Sequence, residues 1–380
     1  MPKTPRDTPS TEPHLDGGNA GTLRDGPLQV RPAQLVALIG ELLRATGLPE
    51  IPARIVSEAL VDADRAGLPS HGAMLVPLYV ERLRAGSVSL QANGRVASDR
   101  GSAVVIDAQN ALGQLTSTQA TELLIDRAPR HGLAAVAVRN AFHFGAAGYW
   151  AAGLARQGFV GVAMCNTRPL MPAPGGAERV VGNNPLAIAL PTSGDEPLVL
   201  DMAFSAGAMG KIRLAAAAGE SIPQGWATDE RGMPTTNAVE AIKGMLLPVG
   251  GAKGFGLAFM IDLLCGGLAG GAIGEAVRPL YGDPHEPYGC AQLFIAIDVA
   301  HFRDLSDFGR SVTGFANRVR DSASALPRLK MRVPGDRATL ARLANADSCP
   351  LAADTARALT SLASTLGISS DDLFSRSAGT

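Results

Sequence analysis

The chain has 380 residues, 46% of them apolar and 4% aromatic, and its 34 Lys and Arg against 35 Asp and Glu leave a net charge of -1. That balance excludes a basic footprint for nucleic acid and any general attraction to an acidic membrane surface. The length, the apolar content and 44 glycines suit one large or two moderate α/β or α+β units with many tight turns.

The opening stretch, "MPKTPRDTPSTEPHLDGGNAGTLRDG", has no apolar run like that of a secretory signal. It reads as a disordered lead over residues 1–28, and the expected compartment is the cytoplasm. From Arg31 to Gly86 the pattern is helical. Leu35, Leu38, Ile39, Leu42 and Leu43 share one face of "AQLVALIGELLRATG", which Gly47 ends. "IPARIVSEALVDADRAG" repeats the design up to Gly67. "MLVPLYVERLRAG" runs to Gly86, with Arg82 and Arg84 where cations suit a helix C-terminus.

After Val88 the texture changes. "AVVIDA" and "LAAVAVRN" read as strands around the helix "TSTQATELLIDRAPRHG". The helix "YWAAGLARQG" and the strands "FVGVAMCNT", "LAIALPT" and "LVLDMAF" follow. Residues 205–248 read as irregular. "KGFGLAFMIDLLCGGL" reads as a buried helix; Asp262 and the many glycines of its apolar run argue against a membrane span. Then come the strand "AQLFIAIDV", a helix at "DFGRSVTGFANRVRDSA", a loop at "MRVPGDR" and a last helix from about 352 to 366. The organisation expected is a helical section (29–90), an α/β unit for cofactor and substrate (91–330) and a C-terminal loop and helix (331–380) returning to the helical section. No repeat period is present. Cys165, Cys265, Cys290 and Cys349 have no C-x-x-C spacing, so they read as buried free thiols, and no metal site is expected.

Several nucleotide and hydrolase signatures are missing. The glycine pair Gly254 and Gly256 is followed by Phe259, so there is no G-x-G-x-x-G fingerprint. There is no phosphate loop, no G-x-S-x-G elbow and no H-E-x-x-H helix. Five features remain. Ser70-His71-Gly72 puts an imidazole beside a hydroxyl, which is either a cap or a proton donor. "RNAFHFGAAGYW" puts His143 between a strand and a small-residue helix start that suits an anion. "GNNP", residues 182–185, is a tight turn offering the Asn183 amide. Lys253 sits among glycines at a helix head, where its charge opposes the dipole unless an anion offsets it. "RVPGDR" brackets a turn with Arg332 and Arg337.

Taken in order, "SHG…Y-x-x-R-x-x-x-G", "HFGAAGYW", "GGAERVVGNNPLAIALP", "LDMA", "GGAKGFGLAFMIDLLCG" and "PGDR" resemble the type-2 malate/L-lactate dehydrogenase family. That family also holds ureidoglycolate dehydrogenase, diketogulonate reductase, cyclic imino-acid (piperideine-2-carboxylate) reductase and sulfolactate dehydrogenase. The resemblance runs from about residue 31 to the C-terminus. It implies a non-Rossmann α/β fold binding NAD or NADP, which would account for the absent fingerprint. It implies hydride transfer between nicotinamide and a small 2-oxo or 2-hydroxy acid, in a homodimer.

By resemblance, His71 is the proton donor with Ser70 as its relay neighbour, and His143 carries the acid/base role in the pattern of some members. Cofactor contacts fall on His143, Phe144, Gly145, Ala146, Ala147, Thr167, Asp201, Met202, Ala203, Lys253, Gly254, Gly335, Asp336 and Arg337. Asn183 matches a substrate position. One departure stands out: the family arginine that grips the substrate carboxylate is here Leu75. An aliphatic group cannot make that pair. Arg168 is the preferred substitute, with Arg139 and Arg179 as alternatives. The competing readings are a reductase of cyclic imines and a catalytically silent nucleotide-binding protein.

Overall fold

The computed structural model describes residues 26–326 and 329–371, so most of the expected disordered lead lies outside the described residues. In chain order, β1 (Leu28–Val30) leads to α1 (Pro32–Arg44), α2 (Glu50–Arg65), two 3-10 turns (Pro69–His71 and Ala73–Leu75) and α3 (Val76–Ala85). Next come β2 (Arg95–Asp99), β3 (Ala103–Asp107), α4 (Gly113–His131), β4 (Leu133–Ala141), α5 (Ala147–Arg156) and β5 (Phe159–Cys165). Short strands β6 (Pro169–Met171) and β7 (Val181–Gly182) precede the hairpin of β8 (Leu186–Leu190) and β9 (Leu198–Met202). Then follow α6 (Met209–Ala218), β10 (Ala227–Thr228), β11 (Pro234–Thr235), α7 (Ala238–Lys243), α8 (Ala252–Asp262) and β12 (Cys290–Asp298). The chain closes with α9 (Leu305–Arg320), α10 (Asp336–Ala344), β13 (Cys349–Leu351) and α11 (Ala353–Leu366).

Seven strands form one sheet in the order β2-β3-β4-β12-β5-β8-β9. Only β3 and β4, joined through α4, run parallel; every other neighbouring pair is antiparallel. This is not the doubly wound parallel sheet of a Rossmann domain, which agrees with the missing glycine fingerprint. The sheet is buried on both faces. Along β12, Cys290, Phe294 and Ala296 join the core under α4 and α5, while Ala291 and Leu293 face α8. That is the period-two alternation of a pleated strand.

The C-terminal segment returns to the start of the chain. β13 pairs antiparallel with β1, and α11 packs against α1 and α3. Arg342 on α10 makes a two-pronged ion pair with Asp62 on α2, with the closest contact at 2.8 Å.

Two expectations need correction, and two elements went unpredicted. The irregular stretch 205–248 contains α6 and α7. Helix α6 is alanine-rich and buries only Ile212, so it follows propensity without an amphipathic signal. Helix α10 buries no residue, which hid it from pattern reading. Strand β2 is an exposed edge. Helix α8 is buried on one face only: Gly254, Ala258, Ile261 and Asp262 are buried, but Leu257, Phe259 and Met260, then Leu263 and Leu264 in the π-turn beyond it and Leu268 after that turn, are exposed. Arg82 lies in the last turn of α3, as expected, but is only 1% exposed. It donates to the carbonyls of Leu280 (2.9 Å) and Glu286 (2.8 Å), pinning the loop before β12. All four cysteines are buried and unpaired. Among the described residues no helix is long and apolar enough to cross a membrane.

Leu75, where the family arginine was expected, is 1% exposed and lies in the main core. Truncating such a side chain costs its transfer energy plus a cavity. Leu75→Ala should lower the unfolding free energy by about 2–5 kcal/mol, read from urea denaturation. Leu75→Arg, which would bury an unpaired charge, should be less stable still.

Candidate active site

His71 is held by a turn whose geometry follows from one buried acid. Asp64, near the end of α2, is 4% exposed, and its Oδ2 accepts from the Ala73 N–H at 2.7 Å. The next residue back must be Gly72, because a β-carbon there would overlap the Asp64 carboxylate. Pro69 starts the 3-10 turn, and the His71 N–H closes it on the Leu68 carbonyl. Burial pushes the Asp64 carboxyl up to about 7, with the Ala73 N–H pulling the other way.

His71 is half-buried, and its Nδ1 lies 3.0 Å from the Ser70 hydroxyl. Burial lowers its pKa below the usual 6.5, and the nearby Asp201 carboxylate opposes that shift. Asp201 is the next-to-last residue of β9, with Oδ2 accepting from the Gly148 N–H at 2.8 Å. It is accessible to solvent yet crowded by protein, as in a cleft. Burial raises its own pKa; the Gly148 N–H and His71 pull it down. Gly148 at the start of α5 is a close-approach glycine, since a β-carbon there would sit 2.7 Å from Asp201 Oδ2.

His143 follows β4, and its ring lies 5.7 Å from that of His71, centroid to centroid. Its Nδ1 lies 2.8 Å from the Tyr79 hydroxyl, which accepts from Gln114 Nε2 at 2.9 Å. Burial and the neighbouring His71 push His143 down to about 3. Among the described residues neither histidine Nε2 has a hydrogen-bond partner. The fold therefore gathers Ser70 and His71, His143 and Asp201 from three places in the chain. Tyr79 and Gln114 belong to the same cluster and were missed. Tyr79 stands in the quoted Y-x-x-R motif, but nothing in sequence marks what its hydroxyl meets. Phe144 is a core residue: its ring stacks edge-on against Phe294, and its carbonyl accepts from Trp150 Nε1 at 3.0 Å.

A second group lies at the end of β5. Asn184, fully buried, accepts from the Thr167 N–H at 2.8 Å and donates to the Ala258 carbonyl at 2.8 Å. Asn166 donates to Asp262 Oδ1 at 3.0 Å and accepts from the Ala291 N–H at 2.7 Å. This buried network fixes the loop 166–168 onto α8, and no sequence pattern marks it. The Thr167 hydroxyl accepts from the Asn183 N–H, and Asn183 Oδ1 accepts from the Ser205 N–H at 2.7 Å. Both side chains expected to meet ligands thus also brace the turn.

Arg168 differs from its neighbours. Arg139 pairs with Asp107 at 3.2 Å, and Arg179 donates to the Lys243 carbonyl at 2.8 Å. Arg168 is half-buried and has no hydrogen bond or ion pair among the described residues. Desolvation and the charges of Arg179 and Arg213 lower its pKa. Burial pushes the Tyr288 hydroxyl up, with the Arg168 charge opposing it, and its ring is 6.0 Å from that of Phe142.

At the head of α8, Gly250 and Gly251 have open space where side chains would be, and the exposed Lys253 has no partner among the described residues. That is a fit for an anionic group: free backbone donors at a helix start and an unneutralised cation. Gly254 behind it has no room for a side chain against the Val249 carbonyl. Gly335 lies against Val199 of β9, and Asp336 is held by Arg320 at 2.7 Å, while Arg337 is exposed. Met202 and Ala203 are half-buried beyond Asp201, and Ala146 and Ala147 begin α5. Among the described residues no grouping of His, Cys, Asp and Glu suits a metal ion.

Residues 30–360 match the family model described as malate/L-lactate dehydrogenase. The chain is 39% identical over 277 residues to (2R)-3-sulfolactate dehydrogenase (NADP(+)) of Chromohalobacter salexigens, covering 73% of this chain and 82% of that one. It is 40% identical over 267 residues to ureidoglycolate dehydrogenase (NAD(+)) of Escherichia coli K12, covering 70% and 75%. Among solved structures it is similar to sulfolactate dehydrogenase from Methanocaldococcus jannaschii, with a TM-score of 0.87, 32% identity, and coverage of 92% and 100%.

The Asp64 clamp makes a pH prediction. A carboxyl raised from 3.8 to about 7 by folding contributes stability fully below about pH 4 and loses it as pH rises through 7. Asp64→Asn keeps an acceptor for Ala73 without the charge. Urea unfolding at several pH values should show wild type falling, relative to this variant, by up to about 4 kcal/mol across that window. Parallel curves would mean that the carboxyl is not protonated by folding.

Proposed function

Because the chain belongs to the malate/L-lactate dehydrogenase family, we propose that it is an NAD- or NADP-dependent oxidoreductase interconverting a small 2-hydroxy acid and its 2-oxo acid. The observation that carries this reading is the half-buried His71 imidazole, held by Ser70 on Nδ1 and without a partner on Nε2 among the described residues, with the Asp201 carboxylate near enough to oppose the fall in its pKa. Relatives named for NAD and for NADP support either cofactor.

The residues divide the work. Lys253 and the open backbone at Gly250 and Gly251 would hold the cofactor's phosphates, with Gly145 to Ala147 and the segment 201–203 also lining its site. The bound nicotinamide supplies or accepts the hydride; the protein supplies position, a proton and charge. In the reducing direction His71 Nε2 gives a proton to the substrate oxygen. In the oxidising direction it takes the proton back. Ser70 holds the other ring nitrogen, and Asp201 favours the imidazolium. Arg168 anchors the substrate's acidic group, since a carboxylate or sulfonate entering a partly desolvated site requires a partner. The exposed apolar face of α8 and its π-turn extension would be covered by a second copy of the chain.

The test is a panel of malate, lactate, sulfolactate, ureidoglycolate and a cyclic imino acid with both cofactors. Turnover of the imino acid alone would select the imine-reductase reading, and NAD(P)H binding without any turnover would select a silent protein. His71→Ala should lose about 10²–10⁴-fold in kcat while keeping cofactor affinity. In the wild type, oxo-acid reduction should decline as pH rises through a value below 6.5, where His71 loses its proton. Asp201→Asn removes the charge that favours the imidazolium and should move that decline to lower pH. An unmoved limb would detach Asp201 from His71.

Arg168→Ala should raise KM for the acidic substrate by about 10- to 150-fold, the worth of one charge-assisted contact, with cofactor affinity nearly unaltered. Unchanged kinetics on the substrate that the panel identifies would rule Arg168 out as the anchor.

A further inference from the structure

We propose that Tyr79 and Gln114 are positioning residues that fix His143 as the neutral tautomer with its proton on Nε2, so that His143 acts as a hydrogen-bond donor and not as an acid. The role in reaction rests on the reading above, in which His71 gives the substrate oxygen its proton; the tautomer does not.

The geometry around Nδ1 decides the tautomer. The Gly145 N–H points at His143 Nδ1 from 3.4 Å. A backbone N–H can only donate, so Nδ1 must offer a lone pair. The Tyr79 hydroxyl lies on the same nitrogen at 2.8 Å. It accepts from Gln114 Nε2 at 2.9 Å, which leaves its own proton for Nδ1 or for the His143 carbonyl at 3.3 Å. Turning the Gln114 amide over would let Tyr79 donate to it, but the Gly145 N–H would then face a ring N–H. Two donors converging on Nδ1 leave Nε2 as the nitrogen that carries hydrogen.

Neutrality follows from the same contacts. An imidazolium would set an Nδ1–H against the Gly145 N–H, in a buried place 5.7 Å from another histidine. Burial also keeps the Tyr79 hydroxyl protonated, so it stays a donor. The structure thus separates two histidines that the sequence left as alternatives. His71, beside Asp201, exchanges the proton. His143 presents a fixed N–H to the oxygen on which negative charge builds during reduction, a donor in place before the reaction starts.

The tautomer is measured without turnover. In the full-length protein labelled with 15N-histidine, long-range 1H–15N spectra identify which ring nitrogen carries hydrogen, and loss of a signal in His143→Gln assigns it. The expected result is a neutral His143 with its proton on Nε2 between about pH 5 and 8. In Tyr79→Phe the Nδ1–H form should become populated, and kcat should fall about 2- to 10-fold, the worth of one hydrogen bond, with KM for the cofactor unmoved. A wild-type proton on Nδ1, or an imidazolium in that range, would overturn the proposal whatever the substrate panel shows. A Tyr79→Phe spectrum identical to wild type would remove Tyr79 from the role.

Discussion

One hydrogen bond places His71, the histidine proposed to exchange the proton: the Ala73 N–H to the buried Asp64 carboxyl. Asp64 belongs to α2, which packs on α1, so the turn that carries Ser70 and His71 is tied to a packed helix. The tie leaves no room for a side chain at 72, and this is why the motif carries a glycine there. A carboxyl buried this deeply stabilises the turn only through good geometry, because burial disfavours its charge. The site therefore rests on a group that the solvent would otherwise claim.

The polar groups of the molecule sort by whether the protein satisfies them. Asn166, Asn184, Asp262 and Arg82 are buried and their donors and acceptors are met within the fold, by carbonyls, N–H groups and one another. Such networks set loops rigidly. Arg168, Lys253 and the Nε2 atoms of His71 and His143 have no such partners among the described residues. A half-buried guanidinium beside two other arginines is held at an electrostatic cost that an incoming anion would relieve.

The sheet determines how these parts meet. Asp201 lies one residue before the end of β9, His143 follows β4, and Thr167 and Arg168 follow β5, so strands far apart in the chain deliver their C-terminal ends to one edge of the sheet. The helical section supplies His71 and Tyr79 from the turn and helix beyond α2. The C-terminal segment returns through β13 and the Arg342–Asp62 pair, which binds α10 to the helix that holds the clamp. Strain or loss at any of these ties would be felt at His71 without touching it.

The sequence alone determined the helical section, most strands of the sheet and the order of the motifs. Those features depend on local periodicity, turn residues and spacing, which are written along the chain. It also marked the Ser70-His71 pair, His143 and Lys253, because an imidazole beside a hydroxyl and a lone cation among glycines are unusual locally. It did not reveal α6, α10 or β2, whose residues bury too little to leave a period, or that α8 and the turn after it expose their apolar side chains. Only the tertiary structure decided that Leu75 is core, that Arg139 and Arg179 are already engaged, and that Tyr79 and Gln114 hold His143. Each of those facts is a contact between residues distant in sequence, and the strength of such contacts depends on burial that only the packed sheet and helices create.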